Sequence, residues 1–391
     1  MAYNPVYTSD PFVEFASITP ATALESLNFN WREHDLPERV RTKHVHRLHP
    51  YLGKYIPQLV EIFLRKYSPK VVCDPFAGSG TTLVEANALG IASVGADVSA
   101  FNCLLAKIKT DKYDVRKLEA EIKDILDRVH LTLDAPLFSS REFKEVTDSE
   151  YLKQWFAPQA LRQLFCYKSF IPEYKYQDLF KVILSRAARS SRLTTHFDLD
   201  FPKAPQTAPY HCYKHSRMCQ PTSDALQFLT RYSLDSLKRI KEFSTIRTDA
   251  KVKIINGDAR TIRFPQVDAV ITSPPYVGLI DYHEQHRYAY ELLGLPTNEH
   301  LEIGAASQGN SKKARENYIT EIGKVFSNVR RSLHKDSVVV VVVHDKNDLY
   351  DELAPQVGYK LEETLIRHVN RRTGRRAGDF FEEILIWRPE N

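Results

Sequence analysis

Cysteine is scarce in this chain of 391 residues: five occur, at positions 73, 103, 166, 212 and 219. The number is odd and no Cys-x-x-Cys pair is present, which indicates reduced thiols and argues against a structural zinc site. No apolar run approaches the length needed to cross a bilayer, and the N-terminus carries no signal-peptide pattern. The expectation is a cytoplasmic, nucleoid-associated protein with no membrane partner. Neither sign of charge dominates, since 54 Lys and Arg stand against 49 Asp and Glu, a net charge of +5. So mild an excess permits nucleic-acid binding without establishing it, and the distribution of charge has to decide. What is present is ordinary for a globular protein: 43% hydrophobic and 26% charged residues exclude a disordered chain. The length allows one large domain with an insertion, or two domains.

Two stretches carry chemistry. Asp268-Ala269-Val270-Ile271-Thr272-Ser273-Pro274-Pro275-Tyr276 begins as a short apolar run, which reads as a strand buried on both faces of a parallel sheet. It stops at two prolines, neither able to donate to a sheet ladder. An open α/β sheet presents its chemistry at the carboxyl edge of such a strand. Successive prolines have few backbone conformations, so carbonyls and the Ser273 hydroxyl can be held in place while Tyr276 offers a flat face. That arm suits a planar ring with an exocyclic amino group, the acceptors taking the amino hydrogens and the ring stacking on Tyr276. Taken alone, the stretch could equally be a proline-kinked strand exit with no catalytic role.

The second stretch, residues 70–86, is a short strand, a loop of small residues and a helix of good formers. Gly78 and Gly80 permit close approach by a ligand, and the helix N-terminus beyond them offers free N–H groups. The lysine of a Walker loop is missing, which argues against nucleotide phosphate, and a dinucleotide fingerprint would need a third glycine where Leu83 stands. The next strand, 92–98, ends at Asp97, where a Rossmann-like fold sets a carboxylate against two ribose hydroxyls. The spacing from Gly80 is close to the ~20 residues expected for that pairing.

Thr272-Ser273-Pro274-Pro275-Tyr276 resembles the catalytic motif of the DNA amino-methyltransferases. Asp74-Pro75-Phe76-Ala77-Gly78-Ser79-Gly80-Thr81 resembles the S-adenosylmethionine loop of the same family. The resemblance covers about 45–110 and 251–390. It implies an α/β, Rossmann-like seven-stranded methyltransferase sheet with a large, mainly helical insertion. It also implies methyl transfer from S-adenosylmethionine, without a metal, to the amino group of cytosine (N4) or adenine (N6) in duplex DNA. The Thr-Ser-Pro-Pro-Tyr form is most typical of the cytosine-N4 group, and Asp or Asn in place of Ser is more usual for adenine. By this resemblance Ser273, Pro274, Pro275 and Tyr276 are catalytic. The loop from Asp74 to Thr81, Asp97, Val98 and Thr272 hold the cofactor, with Asp258 and the Ala259 N–H at its adenine. A helix upstream of the first strand resembles the segment that closes over the methionine end, which carries over Lys54 and Tyr55. The motif order is like the alpha-type arrangement, except that the insertion falls before the third strand rather than after it.

The expected boundaries are an N-terminal arm (1–44), a cofactor-binding part (45–111), an inserted target-recognition region (112–248) and a catalytic part (249–391). The insertion reads as helical around 118–129, 151–170 and 178–191, and as loop from 193 to 222. Arg186, Arg189 and Arg192 recur every three residues and suggest a cationic ridge for phosphates and bases, continued by His215 and Arg217. A solvated helix face is the plainer meaning of such a run. Near the C-terminus, 364–369 and 381–387 read as a hairpin joined by Arg371, Arg372, Thr373, Gly374, Arg375 and Arg376. In a methyltransferase-like sheet the sixth strand is parallel and the seventh antiparallel. That puts the turn on the edge of the Pro-Pro motif, where guanidinium forks suit phosphate oxygens. The expected partners are duplex DNA and a cognate restriction endonuclease in a defence system, and the expected state is a monomer or weak dimer. Two rival readings stay open: an RNA amino-methyltransferase, and a non-catalytic DNA-binding subunit with a vestigial cofactor fold.

Overall fold

β-Branched and small residues build a sheet whose strands, in chain order, surround a detached hairpin. They are β1 (Val71–Asp74), β2 (Ala92–Asp97), the hairpin strands β3 (Tyr210–Cys212) and β4 (Arg217–Cys219), β5 (Val252–Asn256), β6 (Val267–Thr272), β7 (Leu333–Val343), β8 (Tyr359–His368) and β9 (Phe381–Pro389). The computed structural model describes residues 15–31, 34–53, 55–135, 147–196, 198–200, 202–369 and 380–390. The main sheet has seven strands in the order β5-β2-β1-β6-β7-β9-β8. β1, β2, β5, β6 and β7 are mutually parallel, and β9 runs antiparallel between β7 and β8, so the expected parallel sixth and antiparallel seventh strands are both seen. The chain builds one half of the sheet from β1 outward and then returns to β6 on the other side of it. This reversal opens a crevice at the neighbouring carboxyl ends of β1 and β6.

Burial on both faces explains the run of valines in β7. Val338 to Val343 are each 3% exposed or less. Val339 and Val341 face a core closed by the helix Lys312–Arg330, through Val325, Phe326 and Val329. Val338, Val340 and Val342 face a second core closed by the helix Pro57–Tyr67. A parallel strand covered on both sides has no polar face to show.

Two expectations are refined here. The described part of the expected N-terminal arm (1–44) is packed on the fold: Ile18, Phe29 and Trp31 are buried in that second core, and Asn30 Oδ1 accepts from the His368 N–H at 2.7 Å. Apolar side chains that cover the β7–β9 face are held by burial, not by local periodicity. Residues 193–222, read as loop, contain the β3–β4 hairpin. The insertion does fall between β2 and β5, with helices Val115–Asp134, Glu150–Trp155, Pro158–Phe170, Gln177–Ser191 and Leu226–Ser244. It shares one hydrophobic core with the main fold. Leu118, Ile122, Tyr167, Phe180 and Leu229 pack in the same cluster as Phe101 and Leu105 of the helix Ala100–Thr110 and Tyr288 and Leu292 of the helix Arg287–Leu293. Among the described residues no helix is long and apolar enough to cross a membrane.

Candidate active site

The glycine loop leaves β1 with Gly78 at φ +48° and Gly80 at φ +82°, left-handed positions that favour glycine. A Cβ on Gly80 would lie 2.8 Å from the Ala106 methyl, so the loop packs directly on the helix Ala100–Thr110. Beneath it Asp74 is fully buried. Its carboxylate accepts from Thr272 Oγ1 at 2.6 Å, Thr82 Oγ1 at 2.8 Å, the Phe76 N–H at 3.1 Å and the Tyr55 hydroxyl at 3.2 Å. Burial raises this carboxyl above its ordinary range, against the pull of those donors. Asp74 thereby bolts the tips of β1 and β6 to the start of the helix Thr81–Ala88. Asp74 and Thr272, expected at the cofactor, are 0% exposed and sit under the site. They position the two motifs; this corrects their role.

Above them lies a cavity of about 810 Å³, counting its mouth. Of the residues expected at the cofactor, Tyr55, Pro75, Phe76, Ala77, Gly78, Ser79, Thr81, Asp97, Val98, Asp258 and Ala259 line it, joined by Ser273 and Pro275. Gly80 and Pro274 stand behind this lining, and Lys54 lies outside the described residues. Asp97 opens on the cavity. Its Oδ2 accepts from the Gly78 N–H at 2.9 Å, and its Oδ1 accepts from the Ser99 N–H at 2.8 Å and from Asn102 Nδ2 at 3.1 Å. A carboxylate has ~four acceptor positions, so one remains for a ligand. Burial pushes Asp97 up to about 6, although its three donors oppose the shift. Asp258 behaves differently. Against the upward push of burial, hydrogen bonds from the Arg260 side chain and N–H hold it below the usual carboxylate range.

Nine further lining residues are not among the expected site residues, and four of them, Tyr51, Asn102, Tyr282 and Glu302, bring aromatic rings and polar groups to the cavity. The Tyr51 and Tyr282 rings stack at 5.9 Å, and the Tyr51 hydroxyl accepts from Asn102 Nδ2 at 3.2 Å. Glu302 accepts from the N–H groups of Tyr282 (3.2 Å) and His283 (2.8 Å) and from the His283 ring. The one local signal was Gly53, at φ +77°, where a Cβ would lie 2.6 Å from the Tyr282 hydroxyl.

Tyr276 faces away from this cavity and into a second one, about 730 Å³ counting its mouth, beside His344 and Asp345. Its hydroxyl donates to Glu382 Oε1 at 3.1 Å, and its ring lies 6.1 Å from His344 and 6.5 Å from Phe380. The Tyr318 hydroxyl donates to the Pro275 carbonyl at 2.8 Å and pins the turn. Ser273-Pro274-Pro275-Tyr276 is therefore a wall shared by two cavities, with Ser273 and Pro275 on one side and Tyr276 on the other.

The cationic ridge is corrected. Arg186 pairs with Asp235 at 2.6 Å and lies over the Tyr232 ring; Arg189 pairs with Asp200. Arg192 is 3% exposed, lies 4.5 Å from the Tyr288 ring centre and donates to the Leu199 carbonyl at 2.5 Å. Acidic and aromatic neighbours consume all three. His215 and Arg217 are exposed on the β3–β4 hairpin, which also gathers two of the cysteines read as scattered, Cys212 and Cys219. Arg371, Arg372, Arg375 and Arg376 lie outside the described residues. The strand ends that flank them pair as His368 with Phe381, and Phe380 stacks on His344 at 4.0 Å, beside the second cavity.

Residues 34–107 match the family described as DNA methylase, of the N6/N4 type. The chain is 38% identical over 435 residues to Type II methyltransferase M.MjaII of Methanocaldococcus jannaschii, covering 91% of this chain and 82% of that protein. It is 26% identical over 277 residues to Type II methyltransferase M.MvaI of Kocuria varians, covering 66% of this chain and 59% of the relative. With Type II methyltransferase M.BsoBI of Geobacillus stearothermophilus the identity is 24% over 294 residues, covering 66% and 54%.

Proposed function

The chain belongs to the DNA amino-methyltransferase family, and on that premise we propose that it methylates N4 of cytosine at a defined site in duplex DNA. The observation that carries the reading is the shared wall: a rigid turn with acceptors, set between one cavity fit for the cofactor and another fit for a planar base. The family's cofactor is S-adenosylmethionine, and the first cavity suits it. Asp97 has an acceptor position free for a ribose hydroxyl, and Asp258 with the Ala259 N–H offers an acceptor and a donor to an adenine edge. Ser79 Oγ and Asn102 Oδ1, on lining residues, lack a protein partner. When bound there, S-adenosylmethionine supplies an electrophilic sulfonium methyl group.

The chain's own task is to make an amine reactive. The lone pair of an exocyclic amino group is delocalised into its ring, so the nitrogen is a poor nucleophile. Ser273 Oγ, on the cavity wall, accepts one of its hydrogens and draws the lone pair back onto nitrogen; the Pro274 carbonyl, expected as the second acceptor, belongs to a residue that lines neither cavity. Because the target lies inside the duplex, the base has to be flipped out. Tyr276, its hydroxyl anchored on Glu382, supplies the stacking surface. Holding the base against a wall fixed by Asp74 and Tyr318 can contribute up to ~7–11 kcal/mol of barrier reduction.

Arg217, with Arg371, Arg372, Arg375 and Arg376 between β8 and β9 in sequence, is assigned to DNA phosphates. The Type II relatives support a restriction-modification setting; a cognate endonuclease as partner and a monomer or weak dimer as the acting state are part of the proposal. The test is incubation with tritiated S-adenosylmethionine and mixed-sequence duplex DNA, followed by mass spectrometry of the nucleosides. N4-methylcytosine is expected. N6-methyladenine would keep the mechanism and refute the base, and label confined to RNA would refute DNA as substrate.

A further inference from the structure

Four side chains outside the methyl-transfer site converge within the insertion. His196, Cys212, His215 and Cys219 each offer one ligating atom, and these atoms all lie within 4.8 Å of one another. Cys212 Sγ is 3.5 Å from His196 Nδ1 and 3.6 Å from His215 Nδ1, and Cys219 Sγ is 3.6 Å from His215 Nδ1. Tetrahedral zinc with Zn–S of ~2.3 Å and Zn–N of ~2.0–2.1 Å sets neighbouring sulfur and nitrogen ligands ~3.5–3.6 Å apart. The three observed edges have that length.

Thiol–imidazole hydrogen bonds have similar lengths but do not account for the arrangement. His215 Nδ1 has two sulfurs at 3.6 Å, those of Cys212 and Cys219. A neutral imidazole nitrogen carries either one lone pair or one proton, so it makes one good hydrogen bond, not two. A cation among the four groups satisfies both sulfurs together. The Tyr210 hydroxyl also lies 3.0 Å from His196 Nδ1, and it accepts from the His196 N–H at 3.1 Å. With that nitrogen on a metal, the hydroxyl keeps its backbone donor.

The hairpin also needs support. β3 and β4 have three residues each and, among the described residues, pair only with one another, a unit that is marginal in water. Tyr213 is 82% exposed and Met218 is 61% exposed, so little apolar burial holds it. The Cys-x-x-His-x-x-x-Cys run folds back through Ser216 at φ +49°, and His196 reaches it from a separate segment. We propose that His196, Cys212, His215 and Cys219 bind one structural zinc ion that fixes this hairpin in the inserted region. Four protein ligands fill the tetrahedron and leave no open position for catalysis. A second cluster, His44, His46 and Glu85, is a poorer host. The Lys43 ammonium already lies 2.7 Å from the Glu85 carboxylate and supplies its countercharge.

The test is metal analysis of untagged protein purified under thiol reductant from zinc-supplemented cells, beside Cys212→Ser/Cys219→Ser and His46→Ala. One zinc per chain is expected in the wild type and in His46→Ala, with loss in the double cysteine variant. Since that variant could fail to fold, wild-type protein made in zinc-poor, cobalt-supplemented medium gives an independent readout. Intense visible bands of tetrahedral cobalt with sulfur-to-metal charge transfer are expected. A wild type without stoichiometric metal, or a cobalt spectrum that is weak and octahedral, would overturn the proposal. So would zinc that persists in the double cysteine variant and disappears in His46→Ala.

Discussion

Asp97→Asn removes a charge while keeping the side chain's shape. Whichever way the new amide turns, its NH2 meets a backbone N–H, that of Gly78 in the 2.9 Å position or that of Ser99 in the 2.8 Å position. The substitution thus costs a bond inside the loop as well as the proposed one to the cofactor's ribose. A hydrogen bond to a charged group is worth ~1.5–3 kcal/mol, and a decade of affinity is ~1.4 kcal/mol, so the ribose contact alone predicts ~10–150-fold weaker binding. Isothermal titration with S-adenosylhomocysteine measures it. The wild-type pH profile is the sharper readout. Burial raises the folded pKa of Asp97 to about 6, above an unfolded value near ~3.9. Its contribution to fold stability is therefore full below the unfolded value and is lost as the pH rises through about 6. Cofactor affinity runs the other way, because the ribose needs the ionised form. Affinity should be level above about pH 7 and fall by roughly elevenfold at about pH 5, as one proton competes with the ligand. An unchanged affinity in Asp97→Asn, or a wild-type profile flat between about pH 5 and pH 8, would refute the reasoning.

Three other outcomes follow from the geometry. Ser273→Ala should lower single-turnover methylation by roughly 10–150-fold through one lost hydrogen bond while leaving cofactor affinity in place; equal loss of both would make the turn merely structural. Thr272→Val deletes the 2.6 Å bond to buried Asp74 and should cost ~1.5–3 kcal/mol in calorimetric stability, and an unchanged melting profile would remove Asp74 as the bolt between the motifs. Arg192→Ala should destabilise the fold and leave the salt dependence of DNA binding unaltered. A salt slope shallower by about one unit would restore the cationic ridge.

The parts of the site that were readable in sequence are those made by neighbours in the chain. The loop from Asp74 to Thr81 and the turn from Thr272 to Tyr276 each hold their own geometry, through glycine at left-handed φ and through consecutive prolines. Their pairing follows from sheet order, which a buried run such as Val338 to Val343 announces. The other residues come from the assembled fold. Tyr51 and Tyr282 are far apart in sequence, and no spacing rule links their stacked rings. Helical periodicity puts Arg186 and Arg189 on one face, but it carries no information about Asp235 and Asp200, which arrive from elsewhere to cover them. Cys212 and Cys219 escape a search for Cys-x-x-Cys because histidine supplies the intervening ligand position.

The common core of the insertion and the helix Ala100–Thr110 bears on how new specificities could arise. In a modular enzyme, a recognition segment can be exchanged as a cassette, cut at two loops. Here such a cut would pass through packed side chains, stranding Phe101 and Leu105 on one side and Leu118, Phe180 and Leu229 on the other. A chimera that swaps 112–248 would have to bring its own partners for the helices Ala100–Thr110 and Arg287–Leu293, and the first of these carries Asn102, a ligand of Asp97. Were the insertion to read the target, as its place in the expected domain order implies, retargeting this protein would mean redesigning a shared interior, and changes there would reach the surroundings of Asp97.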